Sequence, residues 1–251
     1  MNFLKLATAT LLISVPCHAD PTESVKQPKA VVELFTSQGC GSCPPADQLL
    51  SELASSGDVV ALAYHVDYWD YLGWRDTLAS ADNTARQYDY NNAFGTRMVY
   101  TPQAVVNGRL QMNGAKRGKV ENAIRSMAST PEGMTVALDV AYSGDSLVIE
   151  AGPGSGSVGE AQVVLVYFRS STPVEIVRGN NKGRKHTFVN AVSGFHSVGM
   201  WHGKATRYEL PVSEIARKGA GGCAVLVQEM LKGGLPGPIV GAALIEAPVG
   251  W

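Results

Sequence analysis

Apolar runs and helix-forming segments alternate along the first half of the chain. Apolar, β-branched runs and one return from a hairpin turn predict four strands, at Ala30–Thr36, Val59–Val66, Gln103–Val106 and Arg109–Met112. Helical spacing or an Ala-rich polar composition predicts three helices, at Ala46–Leu53, Thr77–Phe94 and Ala115–Met127. This order is typical of a parallel sheet with an antiparallel edge, so we predict an α/β domain over residues 30–131.

The pattern changes after residue 131. Short strand-like segments now follow one another, separated by Gly-, Ser- and Asn-rich turns, with almost no helical spacing. These predicted strands are Thr135–Tyr142, Leu147–Glu150, Gln162–Phe168, Val174–Arg178, His186–Val192, Ala205–Leu210, Cys223–Gln228 and Ile239–Glu246. Many short strands at close spacing favour an all-β sandwich. We therefore predict a β-sandwich-like domain over residues 132–251.

The first nineteen residues have the pattern of a secretory signal peptide. Lys5 precedes an apolar run from Leu6 to Val15, and Ala19 supplies the small residue before the predicted cleavage point. An apolar run of this length is too short to span a bilayer, although an uncleaved N-terminal anchor is the alternative. We expect a signal peptide at 1–19, a linker at 20–29, and a mature chain without a membrane span that is periplasmic or secreted.

Composition and charge narrow the possible partners. The 251 residues are 45% hydrophobic and 17% charged, which is an ordinary globular balance. The formal net charge of −1 gives no reason to expect nucleic acid or an anionic membrane as the partner. Export would remove Cys17 and leave Cys40, Cys43 and Cys223, too few for a disulfide framework. Cys223 lies in an apolar run and is predicted to be a small buried hydrophobic residue.

Cys40 and Cys43 form a CxxC pair where a strand runs into a helix. Exposed N–H groups at a helix start stabilise a thiolate, so Cys40 is the expected nucleophile and Cys43 the residue that resolves the mixed disulfide. A zinc site needs further ligands at short spacing, and a haem attachment needs His where Pro44 stands. We therefore expect no metal and no cofactor. A static structural disulfide remains the alternative, because export permits one.

This arrangement resembles thioredoxin over roughly residues 30–130. The strand, CxxC and helix of that family match Ala30 to Leu53, and its cis-proline matches Pro102, about 60 residues after the cysteines. The resemblance implies that Thr101 and Pro102 bind a peptide-like substrate beside Cys40. We predict that the Thr101–Pro102 bond is cis and that Pro102 lies beside the cysteine pair.

The whole chain also resembles a bacterial family of secreted, thioredoxin-like proteins, the domain of unknown function 1223. Four motifs carry this resemblance: FTSQGCGSCPPAD at 35–47, YHVDYWDYLGWRD at 64–76, YTPQAVVNG at 100–108 and RGNNKG at 178–183. The resemblance supports a thioredoxin-like fold and implies no activity.

Glu33 is the one charge in the apolar run VVELF, where a buried charge is costly. Glu33 matches the buried acid that thioredoxin keeps beneath its disulfide, if one extra residue is allowed between the acid and Cys40. The resemblance thus implies that Glu33 relays a proton to Cys43. The alternative is an acid that points outward or pairs with a cation. The chain departs from thioredoxin at Gly39, which replaces a Trp, and at the two prolines after Cys43, which predict that regular helix starts near Pro44.

Two other groups of residues receive structural interpretations. His65, Asp67 and Asp70 follow a strand and could bind a metal or orient a substrate, but aromatic packing around them favours a structural loop. The basic stretch Arg178 to His186 is interpreted as a solvated hairpin tip.

The sequence therefore predicts an exported thiol–disulfide oxidoreductase that acts on protein thiols or disulfides, with a redox partner protein. The rival interpretation is a binding protein in which Cys40–Cys43 is inert or holds a soft metal such as Cu(I). A peroxide-reducing enzyme is a third possibility, but no peroxidatic motif is evident.

Overall fold

The computed structural model describes residues 27–130, 133–155, 159–213 and 221–246. Helices α1 to α3 span Pro44–Ser55, Ala81–Ala93 and Arg117–Ala128, and a 3₁₀ turn spans Asp70–Leu72. Strands β1 to β11 span Ala30–Thr36, Val59–His65, Gln103–Val106, Leu110–Asn113, Leu138–Ser143, Ser146–Ala151, Ala161–Glu175, Lys185–Trp201, Thr206–Pro211, Gly222–Met230 and Pro236–Glu246. The predicted signal peptide at 1–19 and residues 20–26 of the predicted linker lie outside the described residues.

Eight strands form one mixed sheet in the order β11-β10-β7-β8-β2-β1-β3-β4. β1 is parallel to β2 and antiparallel to β3, and β3 is antiparallel to β4. These pairings match the parallel sheet with an antiparallel edge that the sequence predicts. β8 lies parallel to β2 through the pair Ala63–Ala191, and β7, β10 and β11 continue the sheet in antiparallel fashion.

The strands that follow α3 divide between two sheets. β5, β6 and β9 form a small antiparallel sheet, whereas β7, β8, β10 and β11 extend the large one. The fold is therefore mixed α/β, with one large mixed sheet and one small antiparallel sheet. The sequence predicts a sandwich-like second part, and its strand content agrees. One sheet nevertheless runs through both parts, so the boundary at residue 131 separates patterns of elements rather than two sheets.

β7 and β8 make a much longer hairpin than the sequence predicts. Val174–Arg178 is not a separate strand, because β7 continues without a break to Glu175 and pairs with β8 as far as Lys185. β7 leaves its other neighbour, β10, at Phe168. The distal part of the hairpin, residues 170–189, therefore extends beyond that pairing, and we call it the arm.

Each face of the large sheet is covered. On one face, α1 and α3 pack over β1, β2 and β3 through buried aliphatic residues that include Leu34, Leu49 and Ile124. On the same face at the far end, the small sheet packs over β7 and β10 through residues such as Ile149 and Leu165. α2 covers the opposite face, where the core combines aliphatic residues with four buried aromatic ones: Phe35, Tyr64, Tyr90 and Phe168.

The Asn107-Gly108 turn joins β3 to β4 and also links β1 to β11. Both residues have positive φ, 49° and 63°. The Asn107 side chain accepts a hydrogen bond from the Val31 N–H at 2.7 Å, and its carbonyl accepts one from the Ile239 N–H at 2.8 Å. A Cβ at Gly108 would collide with the Gly237 carbonyl, so this close approach requires glycine. Among the described residues, no helix is long and apolar enough to cross a membrane.

Candidate functional site

Cys40 and Cys43 form a disulfide in the loop between β1 and α1, with their Cα atoms 5.4 Å apart. The Cys40 N–H donates to the Ser37 carbonyl at 3.1 Å, and the Cys43 N–H donates to the Cys40 carbonyl at 3.2 Å. Cys43 caps α1, and Pro44 begins the helix as predicted. Both cysteines are 0% exposed, whereas Gly41 and Ser42 between them are exposed. The disulfide therefore lies just beneath a small exposed dipeptide.

The segment Thr101–Pro102 lies beside this loop. Its peptide bond is cis, which confirms the predicted isomer. The Ser42 hydroxyl lies 3.5 Å from both the Cys40 sulfur and the Thr101 carbonyl, so it joins the two segments. The indole of Trp69 donates to the Thr101 hydroxyl at 2.7 Å. Thr101 and Pro102 are thus close to the cysteine pair, and substrate binding by them stays a prediction.

The aromatic loop after β2 packs against the other side of the cysteine loop. A Cβ at Gly39 would lie 3.1 Å from the Trp69 Cβ, so a larger side chain there would press on Trp69. The Trp74 indole donates to the Gln38 side-chain oxygen at 2.9 Å. These contacts agree with an aromatic loop that holds the cysteine loop in place.

The arm is the third segment that contacts the cysteine loop, and the sequence does not predict this contact. Asn181 is buried, and its side-chain N–H₂ donates to the Gln38 carbonyl at 2.9 Å and to the Cys40 carbonyl at 2.8 Å. The Cβ of Asn180 lies 3.5 Å from where a Cβ at Gly41 would be. The basic residues of the tip are exposed, as a solvated hairpin requires. Asn181, however, turns inward onto the disulfide loop, 141 residues after Cys40.

His65 pairs with Asp76 and not with Asp67. The His65 Nδ1 and the Asp76 carboxylate lie 2.8 Å apart with both side chains fully buried. Burial alone would raise the pKa of Asp76, but the charge and hydrogen bond of His65 and the hydrogen bonds from two backbone N–H groups outweigh it and hold that pKa below its ordinary value. One of those N–H groups belongs to Gln38, next to the cysteine loop. Asp67 instead accepts from Thr84, and Asp70 accepts from the Asp76 N–H.

Asp47 is a buried acid that sequence reasoning missed. It lies on α1 one turn after Cys43, so the two side chains share a face of the helix. The Thr36 hydroxyl donates to its carboxyl group at 2.6 Å. Burial raises the pKa of Asp47 to about 7, against the lowering effects of the Thr36 hydrogen bond and of His65, and Asp76 adds a smaller increase. The available signal was an acid four residues after the second cysteine, at helical spacing.

Glu33 is buried as predicted, but it does not lie beneath the disulfide. Arg86 on α2 donates to it at 2.8 Å, and the Tyr90 hydroxyl donates to its other oxygen. Side chains alternate along a strand, so the one-residue offset from Leu34, which packs against α1, turns Glu33 to the face covered by α2. The predicted position is therefore corrected, and a proton relay from Glu33 stays a prediction without a contact to support it.

The third cysteine among the described residues takes no part in this site. Cys223 on β10 is buried with a free thiol, as predicted for a small hydrophobic residue, and burial raises its pKa to about 12. In the described part of the chain, no three His, Cys, Asp or Glu side chains are grouped as metal ligands would be.

The chain is similar to a protein family and to a solved structure. A family described as protein of unknown function (DUF1223) matches residues 31–228. A crystal structure of an Agrobacterium tumefaciens protein, a structural genomics target, matches with a TM-score of 0.80 and 42% sequence identity, over 88% of this chain and 95% of that one. No curated protein matches the chain.

Proposed function

We propose that this chain, which belongs to the DUF1223 family, exchanges disulfides with thiols through Cys40 and Cys43. The observation that carries the proposal is the environment of the pair: it begins a helix beside a cis-proline segment and above a buried acid of raised pKa. Buried acids with a shifted pKa are typical of functional sites. A purely structural disulfide has no need of such an acid.

The topology supports a thioredoxin-like assignment for residues 30–131. Strands in the order β2-β1-β3-β4, with β1 and β2 parallel and the last two antiparallel, surround the CxxC helix in the manner that the resemblance implies. Strands β8, β7, β10 and β11 extend this sheet beside β2, at the opposite edge from β4. In this proposal the second part of the chain supplies the arm that covers the pair.

The proposed reaction proceeds through a mixed disulfide. A partner thiolate attacks the Cys40 sulfur, a partner–Cys40 disulfide forms, and the Cys40–Cys43 bond breaks with its electron pair on Cys43. A second partner thiolate then releases the partner disulfide and leaves Cys40 as a thiolate. Two partner thiols are oxidised and one protein disulfide is reduced, and the reverse sequence oxidises the protein.

Asp47 is the group we assign to proton transfer at Cys43. A carboxyl with a pKa near 7 is about half protonated at neutral pH, so it can give a proton to the departing Cys43 thiolate and take it back in the reverse direction. Its position one helical turn after Cys43 places it within the same buried region. Glu33 faces the opposite side of the sheet and already holds an ion pair with Arg86.

The proposal includes an exported, periplasmic or secreted location and protein thiols as partners. Both rest on the predicted signal peptide and on the thioredoxin resemblance. The complete burial of both cysteines favours the rival candidate, a binding protein with an inert disulfide. The two candidates differ in whether the disulfide reacts with thiols under native conditions.

Trapping separates the two candidates. Cys43→Ala should accumulate mixed disulfides on Cys40, because the resolving thiol is gone, whereas Cys40→Ala should accumulate none. Asp47→Asn should slow reduction of the wild-type pair roughly 10²-fold near pH 7, the lower range for a lost acid–base group. Asp139→Asn, which removes an exposed carboxylate on β5, is the control and should leave the rate unchanged. If native protein resists thiols and neither cysteine variant traps a partner, the inert-disulfide candidate holds.

A further inference from the structure

The arm and α1 enclose a cleft that ends at the dipeptide between the two cysteines. Its open part has a volume of about 560 Å³ and reaches Gly41 and Ser42. A smaller cavity of about 150 Å³ adjoins it, and both share Pro44, Arg184 and His186 in their walls. Neither cysteine lines the cleft, but the hydroxyl of Ser42, which does, lies 3.5 Å from the Cys40 sulfur.

The arm side of the cleft carries positive charge. Lys185 pairs with Glu175 at 3.1 Å, but Arg184 makes no ion pair with any described residue. The opposite wall is the start of α1, which offers no free N–H group, because Pro44 and Pro45 have none and those of Ala46 and Asp47 donate to the Cys43 carbonyl. Asp47 is the acid that faces the smaller cavity, and its raised pKa leaves it about half neutral at pH 7.

Two polar atoms in these walls are buried without a hydrogen-bond partner in the described structure. One is the side-chain oxygen of Asn181, a residue only 3% exposed, and the other is Nε2 of His186. Burying such atoms unsatisfied is costly, so a polar ligand that reaches them is favoured. An amide oxygen accepts an N–H group, and an unpaired guanidinium binds a carboxylate.

We infer that the thiol partner of Cys40 is a low-mass thiol that carries a carboxylate and an N–H group, bound in this cleft. This inference rests on the proposed exchange function, and it names a low-mass thiol as the partner in place of the protein thiols that the thioredoxin resemblance implies. A small molecule is preferred to a protein surface because both cysteines are fully buried under the arm and the aromatic loop. Arg184 is the residue that selects for the carboxylate.

A matched pair of thiols tests the inference on the full mature protein. N-acetylcysteine and N-acetylcysteine amide differ only in the carboxylate, and the stopped-flow reduction rate of each is divided by its rate with a free small-molecule disulfide, which cancels the difference in thiolate fraction and nucleophilicity. At low ionic strength, N-acetylcysteine should react roughly threefold to fivefold faster, the range for one exposed charge pair. The preference should disappear at 1 M salt, where charges are screened.

Substitution of the selecting residue completes the test. Arg184→Gln should abolish the preference for the carboxylate, whereas Arg207→Gln on the small sheet should keep it. Equal rates for the two thiols, or a preference that survives Arg184→Gln, would overturn the inference while leaving exchange intact. Faster reaction with an acidic single-cysteine peptide than with N-acetylcysteine would overturn the low-mass assignment. No reaction with any thiol would instead refute the exchange function itself.

Discussion

Asp47 belongs to a buried polar group that also includes Thr36, His65 and Asp76. The hydroxyl of Thr36 contacts it directly, and the His65–Asp76 pair acts on it through charge. Polar groups in a low-dielectric interior influence each other strongly. The protonation state of Asp47 therefore links the stability of the folded chain to the pH of its surroundings.

The residue-scale prediction concerns Asp47→Asn and pH. The ordinary pKa of 3.8 is raised to about 7 in the folded chain, so between these values the folded state holds a proton that the unfolded state has lost. Rising pH then favours unfolding of wild type by about 1.4 kcal/mol per pH unit, and the penalty is complete above pH 7. Asn keeps the shape and has no proton to lose. The free energy of unfolding of Asp47→Asn should exceed that of wild type increasingly from pH 4 to 7, by up to roughly 4 kcal/mol.

Urea unfolding at pH 4.5, 5.5, 6.5 and 8 measures this difference. Asp139→Asn, which removes an exposed carboxylate on β5, is the control and should give a curve parallel to that of wild type. Parallel curves for Asp47→Asn as well would show that the carboxyl is not held protonated by the fold.

At the scale of elements, α2 is attached to the sheet by a buried ion pair. Arg86 contacts Glu33 on β1 and Gln228 on β10. Its guanidinium carbon lies 5.5 Å from the ring centre of Tyr64 and 5.1 Å from that of Tyr90. One arginine thus connects a helix to strands from both parts of the chain. Removing one partner of such a pair leaves an uncompensated buried charge.

The element-scale prediction is a double-mutant cycle on this pair. Glu33→Gln and Arg86→Met should each lower the free energy of unfolding by roughly 3–5 kcal/mol, and the double variant should lose much less than their sum. The exposed pair Arg117–Glu52, with both side chains 47% exposed, is the control, and Glu52→Gln should have little effect. Additive losses at Glu33 and Arg86 would mean that the two side chains do not act as a pair.

Element prediction from the sequence succeeds where one face is buried. β1, β2 and β3 are buried along their whole length and appear as apolar runs. The arm is different, because its strands are largely exposed on both faces and include Pro173 at an edge. Without a buried face, apolar and polar residues do not alternate along the strand. For this reason the sequence predicts Val174–Arg178 as a separate strand and not as part of the arm.

At the scale of the whole molecule, the Asn107-Gly108 turn connects distant parts of the chain. It accepts a hydrogen bond from β1, and Gly108 lies against Gly237 of β11. The turn therefore joins β1, near the start of the described residues, to β11, near their end. The Asn-Gly pair makes the turn recognisable in the sequence. Its contact with β11 is not recognisable, because the two segments lie more than 120 residues apart.

The whole-molecule prediction compares two glycines of similar φ. Gly108→Ala should destabilise the protein by more than Gly144→Ala, because both have positive φ, 63° and 56°, but only Gly108 has a backbone neighbour in the way. The left-handed conformation costs about 1–2 kcal/mol at either site, and the collision at Gly108 should add at least about 1 kcal/mol. Thermal unfolding measures both. Equal losses would mean that the turn and β11 separate at little cost.

The candidate site shows the same division between local and distant information. The cysteine pair and Thr101–Pro102 are recognisable because their motifs are short and their geometry is local. Asn181 is not, because only the pairing of β8 with β2 brings the arm to the disulfide. Neighbouring residues of a strand point to opposite faces of the sheet, so a shift of one residue decides on which face Glu33 lies. The spacing between Glu33 and Cys40 does not determine that face.

The arm covers the disulfide, but it is synthesised long after the two cysteines. Translation proceeds from the N-terminus at about 5–20 residues per second, so roughly 7–28 s separate the synthesis of Cys40 from that of Asn181, 141 residues later. During this interval the two thiols exist before their cover does. Until the chain has folded, an oxidant or thiol reaches them without passing the arm, so the first redox state of each new molecule is set by its surroundings before folding rather than by the finished cleft.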